Sequence, residues 1–137
     1  MSREARAIVV VGLLYGAVGV VTGAVAAAVS SSRAQTAWRL SAWVISAFLL
    51  AAHVAFERVR LGHPIVRSAW HVALAAALGG FALAAAANVH DLGAAAGYRP
   101  RMLVALVAWP LITAVPGFLA ALAGAAVLGL ARPRGGG

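Results

Sequence analysis

The chain has 137 residues, of which 64% are hydrophobic and only 10% charged, with no cysteine, and its mean hydropathy is +0.95. Soluble domains carry roughly a quarter of their residues as charges, so this composition excludes an ordinary soluble domain; the missing cysteines exclude disulfides, thiolate metal sites and cysteine nucleophiles. The net charge of +8 comes entirely from arginine, and the arginines stand in short connectors between apolar runs, which makes them topology signals and not a nucleic-acid surface.

Four apolar segments are long enough for the roughly 20 residues that a helix needs to cross a bilayer. They predict an all-α integral membrane protein of a single four-helix domain over 1–131, with helices at about 7–29, 38–59, 66–90 and 102–131 and a flexible tail over 132–137. The short connectors impose up-down-up-down antiparallel order. Seven arginines (Arg3, Arg6, Arg58, Arg60, Arg67, Arg132 and Arg134) fall on one side and four (Arg33, Arg39, Arg99 and Arg101) on the other. The positive-inside rule then places both termini in the cytoplasm of a bacterial-type inner membrane. Trp38, Trp43 and Tyr98 mark the outer interface and Trp70 the inner one.

The first helix carries Gly12, Gly16, Gly19 and Gly23, spaced four, three and four, along one face. Small residues so aligned let another helix come close. The expected neighbour is helix 2 or 4, with self-association, as a homo-oligomer or within a larger membrane complex, as the other use. A basic start and Ala24-Val25-Ala26 also fit a cleaved signal peptide, but the apolar run exceeds the usual core of about 7–15 residues, so the helix is expected to be retained.

Helices 2 and 3 meet at AAHVAFERVRLGHPIVRSAWH, residues 51–71, with Gly62-His63-Pro64 as the turn. In a hairpin symmetric about Gly62, Glu57 opposes Arg67 and His53 opposes His71. Each helix places its own pair four residues apart and so on one face. Ionisable groups inside a membrane are expensive and default to a functional hypothesis. The simplest use of His53, Glu57, Arg67 and His71 is a polar clasp in which Arg67 neutralises Glu57. A divalent metal on His53, Glu57 and His71 is a second use, opposed by the Arg67 charge. Bis-histidine b-type haem and a proton relay are the others; packed helices about 8–10 Å apart leave little room for haem.

At the far end of helix 3, Arg39, Asn88, His90 and Asp91 form a second polar group, with Asp91 expected to pair with Arg39 or Arg99. Helix 4, at about 45 Å, exceeds a hydrocarbon core of about 30 Å. Pro110 and Pro116-Gly117 predict kinks that free the carbonyls of Leu106 and Ile112, for which Thr113 is one partner. Gly79-Gly80 reads as a packing notch in helix 3.

No serine elbow, carboxylate pair or phosphate-binding glycine loop is present, so no enzymatic activity is expected. The expected function is that of a non-enzymatic membrane subunit, accessory or self-assembling, with the lipid bilayer as its first partner. The runner-up is a small transporter or channel, proton-coupled through His53, Glu57 and His71. A metal or haem carrier comes third; the clasp itself needs no cofactor.

Overall fold

A computed structural model describes residues 2–93 and 99–130, and nothing is said of the side chain of Leu130. The expected positions of Tyr98, Arg132, Arg134 and the tail lie outside the described residues. The described chain is all-helical: α1 (Arg3–Ala28), α2 (Ser32–Ala55) continued by a π-helical turn (Phe56–Arg60), α3 (Ile65–Leu92) and α4 (Met102–Leu130). All four helices are long and apolar enough to cross a membrane.

Two serines set the helix starts earlier than the apolar runs suggest. Ser2 accepts the Ala5 amide at 3.1 Å and Ser31 the Ala34 amide at 3.5 Å. Each satisfies one of the amides a helix N-terminus leaves free. The connector between α1 and α2 therefore shrinks to Val29, Ser30 and Ser31, and the Gln35 side chain closes it by donating from Nε2 to the Val29 carbonyl at 2.9 Å.

The central element is α3, which packs most extensively on α4 and then on α1; α2 lies against α1 and α4 and touches α3 less, although the two are consecutive. Packing follows residue size in the inverse sense of a soluble core. Ala69, Ala73, Ala75, Ala84, Ala121 and Ala125 are buried, while Trp43, Phe48, Val107 and Leu119 are exposed. Alanine faces let backbones approach and gain dispersion contacts over the whole helix length.

The glycine face of α1 meets α3, not α2 or α4. A Cβ on Gly12 would lie 2.8 Å from Leu78, one on Gly16 2.8 Å from Ala82, and one on Gly19 3.2 Å from Leu83, whereas one on Gly23 would meet nothing within 4 Å. The reason is Gly79-Gly80, whose two missing side chains open α3 on two sides. A Cβ on Gly79 would lie 2.5 Å from Tyr15 Cβ, and one on Gly80 2.5 Å from Thr113 Oγ1 and 2.9 Å from the Trp109 carbonyl oxygen.

Helix 4 is assigned as one continuous helix through Pro110 and Pro116. Thr113 does not serve the carbonyls of Leu106 or Ile112. Its hydroxyl lies 2.9 Å from the Trp109 carbonyl, 3.1 Å from that of Pro110 and, across the helix interface, 3.0 Å from that of Ala76. Its single proton is shared among oxygens on both helices because Gly80 lets the backbones meet there.

Replacing glycine by alanine in a helix gains up to about 1 kcal/mol in propensity, so its sign reports local space. Overpacking at Gly79 or Gly80 outweighs that gain. Gly79→Ala and Gly80→Ala are each expected to destabilise the protein by about 1–2 kcal/mol, and Gly23→Ala to be neutral or mildly stabilising. Reversible unfolding in mixed micelles measures all three; equal effects at Gly23 and Gly80 would contradict this packing.

Candidate functional site

The π-helical turn builds the site. In it the Leu61 amide reaches back five residues to the Phe56 carbonyl at 3.3 Å, and the His63 amide reaches the Glu57 carbonyl at 3.2 Å. Gly62 then takes φ +66°, in the left-handed region open to glycine. Pro64 caps α3 from an extended conformation. The Arg58 guanidinium donates to the His63 carbonyl at 2.5 Å and holds the turn closed. Wide turns of this kind recur at functional sites because they re-aim side chains that a regular helix would place elsewhere.

The result is that Glu57 is driven fully inside. Its side chain is 0% exposed, and it is the largest wholly buried side chain among the described residues. One oxygen, Oε2, faces two imidazoles, with His63 Nδ1 at 2.5 Å and His71 Nδ1 at 2.9 Å. The other, Oε1, lies 3.6 Å from His53 Nε2, beyond hydrogen-bonding range, and has no hydrogen-bond partner; neither has either ring nitrogen of the buried His53. His63 and His71 meet edge to face, ring centroids 5.2 Å apart.

A second carboxylate stands behind the first. His63 Nε2 lies 3.1 Å from Glu4 Oε1, and Arg67 Nη2 donates to both Glu4 oxygens at 2.9 and 3.1 Å. Arg67, Glu4, His63 and Glu57 thus form a polar chain from the half-exposed rim, where the Arg67 side chain is 52% exposed, to the buried centre. It joins α1, the π-turn, the connector and α3.

Two expected rungs are therefore replaced. Arg67 pairs with Glu4 of α1, not with Glu57, because the π-turn points Glu57 inward while Arg67 keeps its charged head at the half-exposed rim. His53 and His71 do not pair with each other; both face the Glu57 carboxylate. His63, read as a turn residue, belongs to the cluster, and Glu4 supports it from another helix. The available signal was numerical: three of the chain's four histidines fall between residues 53 and 71, and two of its three acidic residues are Glu4 and Glu57. With the imidazoles converging on one carboxylate, the arrangement offers no slot as wide as a haem.

At the other end of α3, Asp91 is buried and takes three donors from Arg99: the backbone amide at 2.9 Å, Nε at 3.0 Å and Nη2 at 2.6 Å. These bonds hold the Arg99 guanidinium above its ordinary pKa. Arg39 and His90 are exposed, and Arg99 fills the place considered for Arg39 because it is the nearer in sequence and brings its own amide. The Asn88 amide donates to the carbonyls of Ala84 and Met102, both at 2.9 Å, and so ties the end of α3 to the start of α4. This is a structural closure.

Removing one partner of a buried ionic group leaves the rest uncompensated, at a cost of about 3–5 kcal/mol. Glu57→Ala is expected to lose stability in that range. A double-mutant cycle in micelles should give a Glu57–His63 coupling of about 0.5–3 kcal/mol and a Glu57–Arg67 coupling near zero. A large Glu57–Arg67 coupling would restore the symmetric hairpin. No known protein family matches the chain, and neither a curated protein nor a solved structure does, so its functional reading rests on the site alone.

Proposed function

We propose that the chain is a small, non-enzymatic, multi-pass membrane protein whose buried Glu57 cluster locks α1, α2 and α3 together at one end of the bundle. The observation that carries this reading is the wholly buried Glu57 carboxylate, held by His63 and His71 and backed by Glu4 and Arg67. A lone buried charge would cost several kcal/mol; distributed over residues of three helices it becomes a constraint on how those helices meet.

A lipid environment is supported by the inverted packing, alanine inside and large apolar side chains outside, because a bilayer imposes no penalty on exposed Trp43, Phe48 or Val107. Up-down-up-down order is supported by register. Contacts climb together along α1 and α3, from Gly12 with Leu78 to Gly19 with Leu83, and run oppositely along α3 and α4, where Gly80 meets Thr113 and Gly117 meets Ala76. The excess of arginine around the lock supports a cytoplasmic location for that end, in a bacterial-type inner membrane. Pro110 and Pro116 bend or tilt α4 to fit its length to the bilayer. The exposed aromatic face of α2 is where a second copy or a larger assembly would sit.

The absence of native cysteine makes topology directly testable. Ser30→Cys is expected to react with a membrane-impermeant thiol reagent from outside intact cells, and Arg60→Cys only after permeabilisation. Labelling of both from one side, or recovery of the chain in the soluble fraction, overturns the topology. For the lock, Glu57→Ala and His63→Ala in chelator should both lower the thermal midpoint. If Glu57→Gln instead leaves the midpoint unchanged and abolishes ion or solute flux in liposomes, the small transporter or channel reading replaces the lock.

A further inference from the structure

The lock contains more ligating capacity than its own hydrogen bonds use. We propose that Glu57, His63 and His71 form a site for a divalent first-row transition metal, zinc foremost, which draws in His53 as its fourth ligand, with Glu4 and Arg67 as its supporting layer. This goes beyond the lock: it names a ligand for the same residues, and the lock's stability test in chelator stands whether or not a metal binds.

Geometry is the first argument. Ligand atoms of Glu57, His63 and His71 all lie within 4.8 Å of one another; His53 stands outside that group, beside the other Glu57 oxygen. Four ligands at about 2.0–2.1 Å around a tetrahedral ion stand roughly 3.3 Å apart. His53 Nε2 and Glu57 Oε1, at 3.6 Å, are already near that separation. His63 Nδ1 and His71 Nδ1, at 2.5 and 2.9 Å from Oε2, need to withdraw by less than about 1 Å to admit the ion.

Unsatisfied donors and acceptors are the second. The His53 side chain is 1% exposed and that of Glu57 0%, yet both ring nitrogens of His53 and Glu57 Oε1 have no hydrogen-bond partner. Folded proteins rarely leave buried polar atoms so placed. A cation held at the Glu57 carboxylate gives His53 Nε2 a partner once that ring closes on it.

The surrounding layer is the third. His63 Nε2 lies 3.1 Å from Glu4 Oε1; a proton on that nitrogen would leave Nδ1 to ligate, the carboxylate–histidine arrangement that orients metal ligands and raises their basicity. Arg67 holds Glu4 in place. Its charge, which would oppose a metal if it faced Glu57, is turned to the rim. Arg58 faces the His63 carbonyl, which leaves the imidazole free to ligate.

Donor chemistry sets the metal class. Three imidazoles and one carboxylate suit zinc and its neighbours, whereas calcium and magnesium prefer oxygen alone. Four protein ligands fill a tetrahedral shell, as in structural sites, so the metal's effect is to staple α2, the connector and α3.

The test uses the full chain in detergent, with any affinity tag removed and resident metal stripped by chelator. Co²⁺ is expected to bind at one equivalent per chain with the intense visible absorption of a tetrahedral site; Zn²⁺ should displace it and raise the thermal midpoint. His71→Gln and Glu57→Gln should weaken binding at least tenfold, and His53→Gln should remove the tetrahedral spectrum. Glu4→Gln, which leaves all four ligands in place, should weaken binding by about 10–100-fold at unchanged stoichiometry and so carries the test if the ligand variants do not fold. His90→Ala, outside the cluster, should bind as the parent does. The proposal is overturned by a helical parent chain with no saturable Co²⁺ spectrum, or by a spectrum that survives Glu57→Gln or Glu4→Gln undiminished.

Discussion

A carboxylate with no exposed surface, in a protein otherwise built of alanine, glycine and large apolar side chains, is the constraint around which the rest of one end is arranged. Glu57 can remain there only if its oxygens are met by donors or by a cation. The π-turn aims it inward, Gly62 and Pro64 bring His63 back over it, and α3 contributes His71. Because His63 Nε2 faces away from Glu57, it can engage Glu4, and α1 is drawn into the same network. A single buried side chain thus sets the geometry of a turn, a connector and two further helices.

Toward the middle of the bundle a different interaction takes over. No charge is available there, and association rests on close approach of backbones. Gly79 and Gly80 are adjacent in sequence and so point about 100° apart on a helix of 3.6 residues per turn, which is what allows α3 to receive α1 on one side and α4 on the other. Thr113 exploits the second approach by placing its hydroxyl among carbonyls of both helices. The helix with two notches becomes the central one: ten of the 28 residues of α3 are buried, against four of 26 in α1 and two of 24 in α2.

Periodic and compositional features were legible in the sequence because they are local. The four apolar runs exist as helices, and the spacing of four between His53 and Glu57 does place both toward the cluster. The notch at Gly79-Gly80 is likewise visible as a pair of small residues. Partners distant along the chain were not legible. Glu4 and Arg67 are 63 positions apart, and nothing in either neighbourhood names the other. The mirror rule about Gly62 failed for a specific reason: it assumes a regular helix up to the turn, and the π-turn at Phe56–Arg60 inserts an extra residue per turn where Glu57 sits. Local spacing survives such an insertion; cross-hairpin register does not. The glycines of α1 show the same limit, since their spacing reveals a contact face but not which helix fills it.

The two regimes meet in α2, and this gives the lock its meaning. Helix 2 has no glycine, and its only buried residues are His53 and Val54, both in its last turn. Its N-terminal two thirds present Trp38, Trp43, Val44 and Phe48 outward. The glycine notches that bring α1, α3 and α4 together are thus missing from α2, whose broadest packing is on α1. At its last turn His53 approaches Glu57 and Val54 enters the apolar cluster with Val72, Ala121 and Ala125. Weakening the Glu57 cluster therefore acts on the last turn of α2, while the α1–α3–α4 core keeps the contacts that define it. The Glu57 cluster at one end of α2 and the glycine notches at mid-bundle thus join different helices by different means.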